Sequence, residues 1–340
     1  MNRQFPVYTI ENECQDCYKC IRHCHCKAIK IVNARAAVIP ELCVSCGECV
    51  RICPAHAKKI RSDIARLENM LQNGDKVYAS VAPSFVGYFK GISIFQLAAA
   101  LKKLGFAGVS ETAHGAQVVS AQTGKFIAEA GNGVYISSAC PASVDYIRKY
   151  MPEWLNNIVP FDSPVMAHCK MLRKEFGDDI KTVFIGPCAA KKNEADRNPE
   201  IMSLAITFAA LEQLLNEKDI DLAAEPQEKI ELALGEAEEG RIYSIEGGMN
   251  DTLRDTSTGI RYIAVSGLDN MSRVLAAIDP HQGDERKFFI EALACHGGCV
   301  NGPVMHKDSS AIDVLLATDA ISGRQTSLGR QIAVDITRHY

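Results

Sequence analysis

No stretch of the chain approaches the roughly 18 apolar residues that a membrane span needs. Met1 to Glu13 also lack the charged start and apolar core of an export signal, so a cytoplasmic protein without membrane spans is expected. Basic excess is missing too. A formal charge of -4 and no block of like charges leave nothing to grip a phosphate backbone, and no nucleic-acid partner is expected. Cysteine, by contrast, is abundant, with 14 in 340 residues, nine of them before residue 54. A chain of this length with 47% hydrophobic residues can bury a sizeable core without covalent staples. In a reducing compartment these thiols are poor disulfide candidates, and metal binding is the better reading.

Cys14, Cys17, Cys20 and Cys24 are separated by two, two and three residues, and Cys43, Cys46, Cys49 and Cys53 repeat that spacing 29 residues on. This internal duplication resembles bacterial-type ferredoxins, in which three close cysteines wrap one 4Fe-4S cube and the fourth crosses to the other. The resemblance implies two 4Fe-4S clusters. Cys14, Cys17, Cys20 and Cys53 would hold one, and Cys43, Cys46, Cys49 and Cys24 the other, in an α+β domain over 1–60 that carries electrons. Pro54 follows Cys53 as that pattern expects, whereas His25 follows Cys24. Cys26 is a spare thiol, expected to be structural or a neighbour of a cluster. Zinc knuckles also use Cys-x2-Cys pairs, but they do not call for two full four-cysteine arrays.

Beyond Lys58 and Lys59 the pattern turns helical over Ile64 to Leu71 and stops at Asn73-Gly74, which predicts a boundary near 61. Strand-like apolar runs follow at Val77–Ala82, Val134–Ile136, Thr182–Ile185, Tyr262–Val265 and Phe288–Leu293. They alternate with helix-like segments at Ile94–Leu104, Ile201–Leu215 and Leu268–Ile278. Such alternation predicts α/β layers with mainly parallel strands flanked by helices. A second domain is expected over 61–340, with two lobes near 61–165 and 170–300. Residues 311 to 340 carry strand-like and helical hints without a clear assignment.

Four cysteines of this second part sit on loops after the predicted strands: Ser137-Ser138-Ala139-Cys140-Pro141, Gly186-Pro187-Cys188-Ala189-Ala190-Lys191-Lys192-Asn193-Glu194, and Glu291-Ala292-Leu293-Ala294-Cys295-His296-Gly297-Gly298-Cys299-Val300-Asn301-Gly302. In open α/β sheets, ligands bind beyond the carboxyl ends of the strands, so three such loops are expected to meet in one cleft. A helix starting at Cys295 would put Cys295 and Cys299 on one face, with Gly297 and Gly298 leaving room for a bulky inorganic group.

These loops resemble those of the iron-only (diiron) hydrogenases, and the resemblance covers most of residues 1 to 303. It implies a two-lobed catalytic domain around an H-cluster, a 4Fe-4S cubane bridged to a diiron unit carrying CO, CN and a dithiolate. Cys140, Cys188, Cys295 and Cys299 would bind the cubane, and Cys299 would also bridge to the diiron unit. Lys191, and the backbone and hydroxyl of Ala82-Pro83-Ser84, would contact the cyanides, with Pro83 and Ser84 at the cofactor. Lys192 is expected to be a solvated surface lysine. The implied reaction is reversible splitting of dihydrogen into protons and electrons, with a ferredoxin-like redox partner and dedicated maturation proteins.

The match fails in an instructive way. Highly active relatives carry a proton-relaying cysteine where this chain has Ala139, and a methyl group relays nothing. An acid is also missing around Gln122 and Thr123, Gly186 replaces a methionine, and Pro303-Val304-Met305 replaces a glycine-rich stretch. These departures resemble the sensory members of the family, with slow turnover and a signalling partner. The chain ends too soon, at Tyr340, for the PAS domain that one such group carries. Glu246 and Cys169 are candidates for a substitute proton route. The competing readings are a hydrogenase-like iron-sulfur assembly factor without a diiron unit and a plain electron carrier. The second leaves the last four cysteines unexplained.

Overall fold

The computed structural model describes residues 4–253, 259–278, 280 and 286–306; the hints over residues 311 to 340 lie outside them. The cysteine repeat is also a repeat of the backbone. β1 (Val7–Thr9), α1 (Lys19–Arg22) and β2 (Ile29–Val32) recur as β3 (Arg35–Val38), α2 (Glu48–Arg51) and β4 (Lys58–Ile60). β1 pairs antiparallel with β4 and β2 with β3, so the outer strands of the two repeats close on each other. Left-handed backbone recurs with the same offset: Asp16 (φ 52°) and Ser45 (φ 55°), Tyr18 (φ 57°) and Gly47 (φ 79°), Lys27 (φ 50°) and His56 (φ 52°). Turns of this hand aim successive N–H groups into a concavity that suits an anionic iron-sulfur cube.

The rest of the chain runs α3 (Ile64–Gln72), β5 (Val77–Val81), α4 (Phe85–Tyr88), α5 (Ile94–Lys103), β6 (Gly108–Glu111), α6 (Ala113–Glu129), β7 (Gly133–Ile136), α7 (Pro141–Tyr150) and α8 (Pro164–Phe176). It continues through β8 (Lys181–Gly186), α9 (Ala190–Arg197), β9 (Leu204–Thr207), α10 (Phe208–Glu217), α11 (Gly248–Leu253), β10 (Ile260–Ser266), α12 (Leu268–Ala276) and β11 (Lys287–Leu293). Two sheets result, in the orders β6-β5-β8-β9 and β10-β11-β7, and every pairing within them is parallel. The α/β class is as expected. The expected lobes at 61–165 and 170–300 do not map onto these sheets, because each sheet takes strands from both stretches. Parallel strands need crossovers, and here the crossovers run between the sheets as well as within them.

Side-chain caps start α5 and α10. Ser93 and Gln96 form a reciprocal capping box that starts α5, whose Leu97 and Leu101 are fully buried. Burying each such side chain is worth about 1.5–3 kcal/mol. The expected helix over Ile201–Leu215 is instead a strand and a helix. Leu204 to Thr207 are buried on both faces and pair with β8, and the Thr207 hydroxyl then caps α10 by accepting from the Ala210 N–H. A continuous apolar run cannot separate these alternatives by periodicity. His168 of α8 fastens the larger sheet from one side. It is fully buried between the hydroxyls of Ser80 on β5 (2.8 Å) and Ser110 on β6 (2.9 Å), and burial pushes its pKa down to about 3.

Candidate functional site

Two cavities in the repeated module sort its cysteines. One is lined by Cys14, Cys17, Cys20 and Cys53; the other, of about the same size, by Cys24, Cys43, Cys46 and Cys49. The fourth cysteine of each repeat thus lies with the other repeat's three, and the near-equal space suits equal cargo. Cys26 also lines the second cavity, and burial lifts its thiol to about 12. Burial likewise raises Cys20, Cys43, Cys46 and Cys49. Thiols this desolvated become thiolates only against cationic metal, which couples their deprotonation to metal binding. Lys58, buried between the cavities, donates to Thr9 Oγ1 (2.6 Å) and Ala36 O (3.0 Å), and its charge opposes the rise at both Cys20 and Cys49. Its cationic role was invisible in the sequence, where it stands beside Lys59 at the end of a strand.

The other four thiols come from three strand ends. Cys140 is the N-cap of α7, four residues past β7; Cys188 follows β8 by two residues; Cys295 follows β11 by two. Burial raises Cys188 to about 11 and Cys295 and Cys299 further, and each of the three also responds to other members of the set. Cys46 acts on Cys295, so the inner cavity of the repeat module adjoins this site. No helix begins at Cys295. Gly297 (φ +73°) and Gly298 (φ +101°) are left-handed, and a 3₁₀ turn forms instead over Cys299–Asn301. Among the described residues no group of three His, Cys, Asp or Glu could hold a single ion.

Polar groups around the thiols fit a cofactor with acceptor ligands. Ser84 is fully buried at the start of α4, just after half-buried Pro83, and its Oγ has no partner among the described residues. The same holds for Ser138 Oγ, beside Ala139, and for Ser244 Oγ, whose backbone carbonyl would touch a Cβ on Gly298. Such buried orphans are costly unless something completes them. Lys191 is buried and donates to Glu194 Oε2 (2.7 Å) and Ser163 Oγ (2.9 Å), while its charge opposes the rise at Cys188 and Cys299.

Lys192 is not solvated. It is 1% exposed and donates to Asp63 Oδ2 (2.9 Å) and Ala205 O (2.6 Å). Arg61 joins the same network through Asp63 (3.0 Å) and Asp196 (2.8 Å), tying the junction after β4 to α9. Adjacent lysines on a helix point about 100° apart, so one can face the thiols and the other the junction.

The proton-route candidates separate clearly. Cys169 is wholly buried in the main core, its thiol lifted to about 12 by burial, with Thr182, Glu194 and Lys191 as its polar surroundings. Glu246 accepts from Ser266 Oγ (2.7 Å), and its backbone N–H reaches Gly297 O (3.3 Å), so it is tied to the third cysteine loop. Glu291 was not singled out from the sequence. It is 1% exposed, accepts from the backbone N–H of Gly247 (3.2 Å) and Asn250 (2.9 Å), and is raised to about 7 by burial and then by Glu246. It also acts on Cys299. The available signal was a lone acid in the apolar run of β11. Ala139 packs against a buried cluster that includes Tyr243, and Gly186 has no room for a side chain, since a Cβ there would lie 2.4 Å from the Phe184 ring.

Comparison with known proteins bears on all three loops. The sequence profile of the iron-only hydrogenase large subunit, C-terminal domain, matches residues 75–303, and that of a 4Fe-4S binding domain matches residues 36–59. Iron hydrogenase 1 of Clostridium pasteurianum is 26% identical over 318 residues, covering 75% of this chain and 55% of that protein. The periplasmic [Fe] hydrogenase large subunit of Nitratidesulfovibrio vulgaris is 29% identical over 318 residues, covering 74% of this chain and 75% of that one. This chain thus spans about half the length of the first. A variant of an [FeFe]-hydrogenase from Chlamydomonas reinhardtii superposes with a TM-score of 0.60 at 18% identity, covering 78% of this chain and 90% of that structure, a likeness of fold. Among the described residues no helix is long and apolar enough to cross a membrane.

Proposed function

This chain belongs to the iron-only hydrogenase family, and on that footing we propose that it catalyses slow, reversible dihydrogen oxidation as a cytoplasmic sensor of hydrogen or redox state. Residues 1–60 act as the electron route and residues 61–340 as the catalytic domain, served by maturation proteins and coupled to a signalling partner. The observation that carries the reading is the gathering of Cys140, Cys188, Cys295 and Cys299 at the strand ends, with the unpartnered Ser84 hydroxyl following β5, the neighbour of the strand that leads to Cys188. A bound H-cluster would supply the splitting of dihydrogen into two protons and two electrons. Cys140, Cys188, Cys295 and Cys299 would hold it, and Ser84 and Lys191 would donate to its acceptor ligands, with Glu194 and Ser163 keeping the Lys191 ammonium in place.

Ala139 makes proton delivery the slow part. Its methyl group stands where a relay thiol would serve, so protons must use carboxylates farther along the third loop. Glu291, raised to about 7 by burial, can take up and release a proton near neutral pH, and Glu246, which accepts from Ser266, offers the next carboxylate toward solvent. Cys169 takes no part, being sealed in the core. The test is hydrogen oxidation and evolution by wild type, Ala139→Cys and Glu246→Gln at matched cofactor occupancy. A well-placed relay group is worth about 10² to 10⁴ in rate, so Ala139→Cys should rise by part of that and Glu246→Gln should fall. Fast wild-type turnover, indifferent to Glu246→Gln, would remove the chemical basis of the sensory reading.

A further inference from the structure

We propose that the buried Lys58 ammonium makes the cluster of Cys14, Cys17, Cys20 and Cys53 the more easily reduced of the two in the repeat module, so that electrons released at the active site come to rest there. The proposal rests on the reading of residues 1–60 as an electron route with two 4Fe-4S clusters. The duplication supplies the comparison. Its offset of 29 residues relates Thr9 to Val38 and Ile29 to Lys58. Thr9 is the strand partner of Lys58 between β1 and β4, and Ile29 that of Val38 between β2 and β3. Each partnered pair lines one cavity: Ile29 and Val38 the one with Cys46, Thr9 and Lys58 the one with Cys14. Two copies of one unit thus turn equivalent positions to their cargo, two apolar side chains in one and a hydroxyl and a cation in the other.

A buried cation needs partners. Lys58 is 2% exposed, and among the described residues no carboxylate pairs with it. Its Nζ donates to Thr9 Oγ1 (2.6 Å) and Ala36 O (3.0 Å), which leaves one of the three ammonium N–H donors over and the charge unmatched. An anion in the cavity that Lys58 lines removes that cost. A cube held by four thiolates is such an anion and becomes more negative on reduction, so a fixed cation beside it favours the reduced form and raises its potential. The charge of Lys58 opposes the rise of the Cys20 thiol in this set and of Cys49 in the other. The second potential therefore moves the same way, but by less, because Lys58 does not line that cavity. The second cavity is the inner one, with Cys46 acting on Cys295. The downhill step runs outward: the reduced inner cluster gives up one electron, the outer cluster takes it, and no atom is transferred.

The test is a redox titration of the cluster-loaded full chain, followed by electron paramagnetic resonance. The wild type should reduce its two repeat-module clusters in separate steps, and Cys17→Ser, which alters a ligand of the outer cluster alone, should move the first. At the potential where that step is half complete, Lys58→Met should lower the reduced-to-oxidised ratio about tenfold, a shift of about 59 mV for one electron, because a buried charge is weakly screened. Lys58→Gln, which keeps a donor toward Thr9 and Ala36, should fall likewise, whereas Lys58→Arg should stay near the wild type. Iron content should be unchanged in all three. Ile29→Lys puts a cation at the equivalent position of the inner cavity and should raise the second step. Lys59→Met makes the same charge change where strand alternation faces it away from the cavity, and should move neither. A first step unmoved by the loss of charge, an equal fall in Lys59→Met, or an equal fall in Lys58→Arg would each overturn the assignment, the last by showing a purely structural role. Should the Lys58 variants lose iron, Ile29→Lys decides alone, and an inner step that fails to rise overturns it. A wild type without two reducible cubanes in the repeat module overturns the electron-route reading itself, and this assignment with it.

Discussion

Gly298 tests the architecture of the third cysteine loop. Its backbone, φ 101° and ψ -174°, lies in a region that is essentially glycine's alone. A side chain held there costs about 1–3 kcal/mol in backbone strain. Space adds to this: a Cβ would sit 2.5 Å from Ser244 O and 2.9 Å from Glu246 N, both backbone atoms that cannot swing aside. Gly298→Ala must therefore shift the loop, and Cys299 is the next residue. In anaerobically prepared protein, three cubanes give about twelve irons per chain. The variant should fall to about eight, retaining the two clusters of the repeat module, while its electron paramagnetic resonance keeps their signals. Gly131→Ala is the control, since its Cβ meets nothing within 4 Å. Full iron in Gly298→Ala, with an intact active-site cubane signal, would refute the reasoning about loop packing.

Two further outcomes follow from buried charge. His168 binds a proton below 6.5 when unfolded but only near 3 when folded, so stability is complete above 6.5 and is lost as pH falls toward 3. From about pH 7.5 to about pH 5.5 the loss comes to about 1.4 kcal/mol, and urea unfolding of His168→Gln should lack that share of the slope; equal slopes in both proteins would contradict it. Lys192→Met leaves Asp63 buried with Arg61 and Arg66 as remaining partners, so the cost should be near the lower end of the range for a broken buried pair, about 3 kcal/mol. Adding Asp63→Asn should recover part of it, and a single variant as stable as wild type would show the network to be dispensable.

Legibility followed the physics of each signal. The cysteine spacing is a covalent-scale constraint, so the duplication was visible in the sequence and proves to extend to strands, helices and left-handed turns. Parallel strands buried on both faces announce themselves as apolar runs, and the cysteines fell beyond their carboxyl ends as expected. β6 went unread because Gly108-Val109-Ser110-Glu111 is buried through pairing with β5 and through the partners of Ser110 and Glu111, with little apolar pattern. Lys192 and Glu291 were misjudged or passed over for one reason. Charged residues are rarely buried without partners, and the partners, Asp63 and the backbone N–H groups of Gly247 and Asn250, are 129 and 41 to 44 residues away in the chain.

Infrared spectroscopy of protein matured with its cofactor-assembly partners tests the central claim most directly. Carbonyl and cyanide stretches should appear in the wild type, persist in Cys26→Ala, whose thiol merely lines a neighbouring cavity, and vanish in Cys299→Ala. Cubane signals without any carbonyl or cyanide bands in the wild type would contradict the account and leave an iron-sulfur protein with no diiron unit.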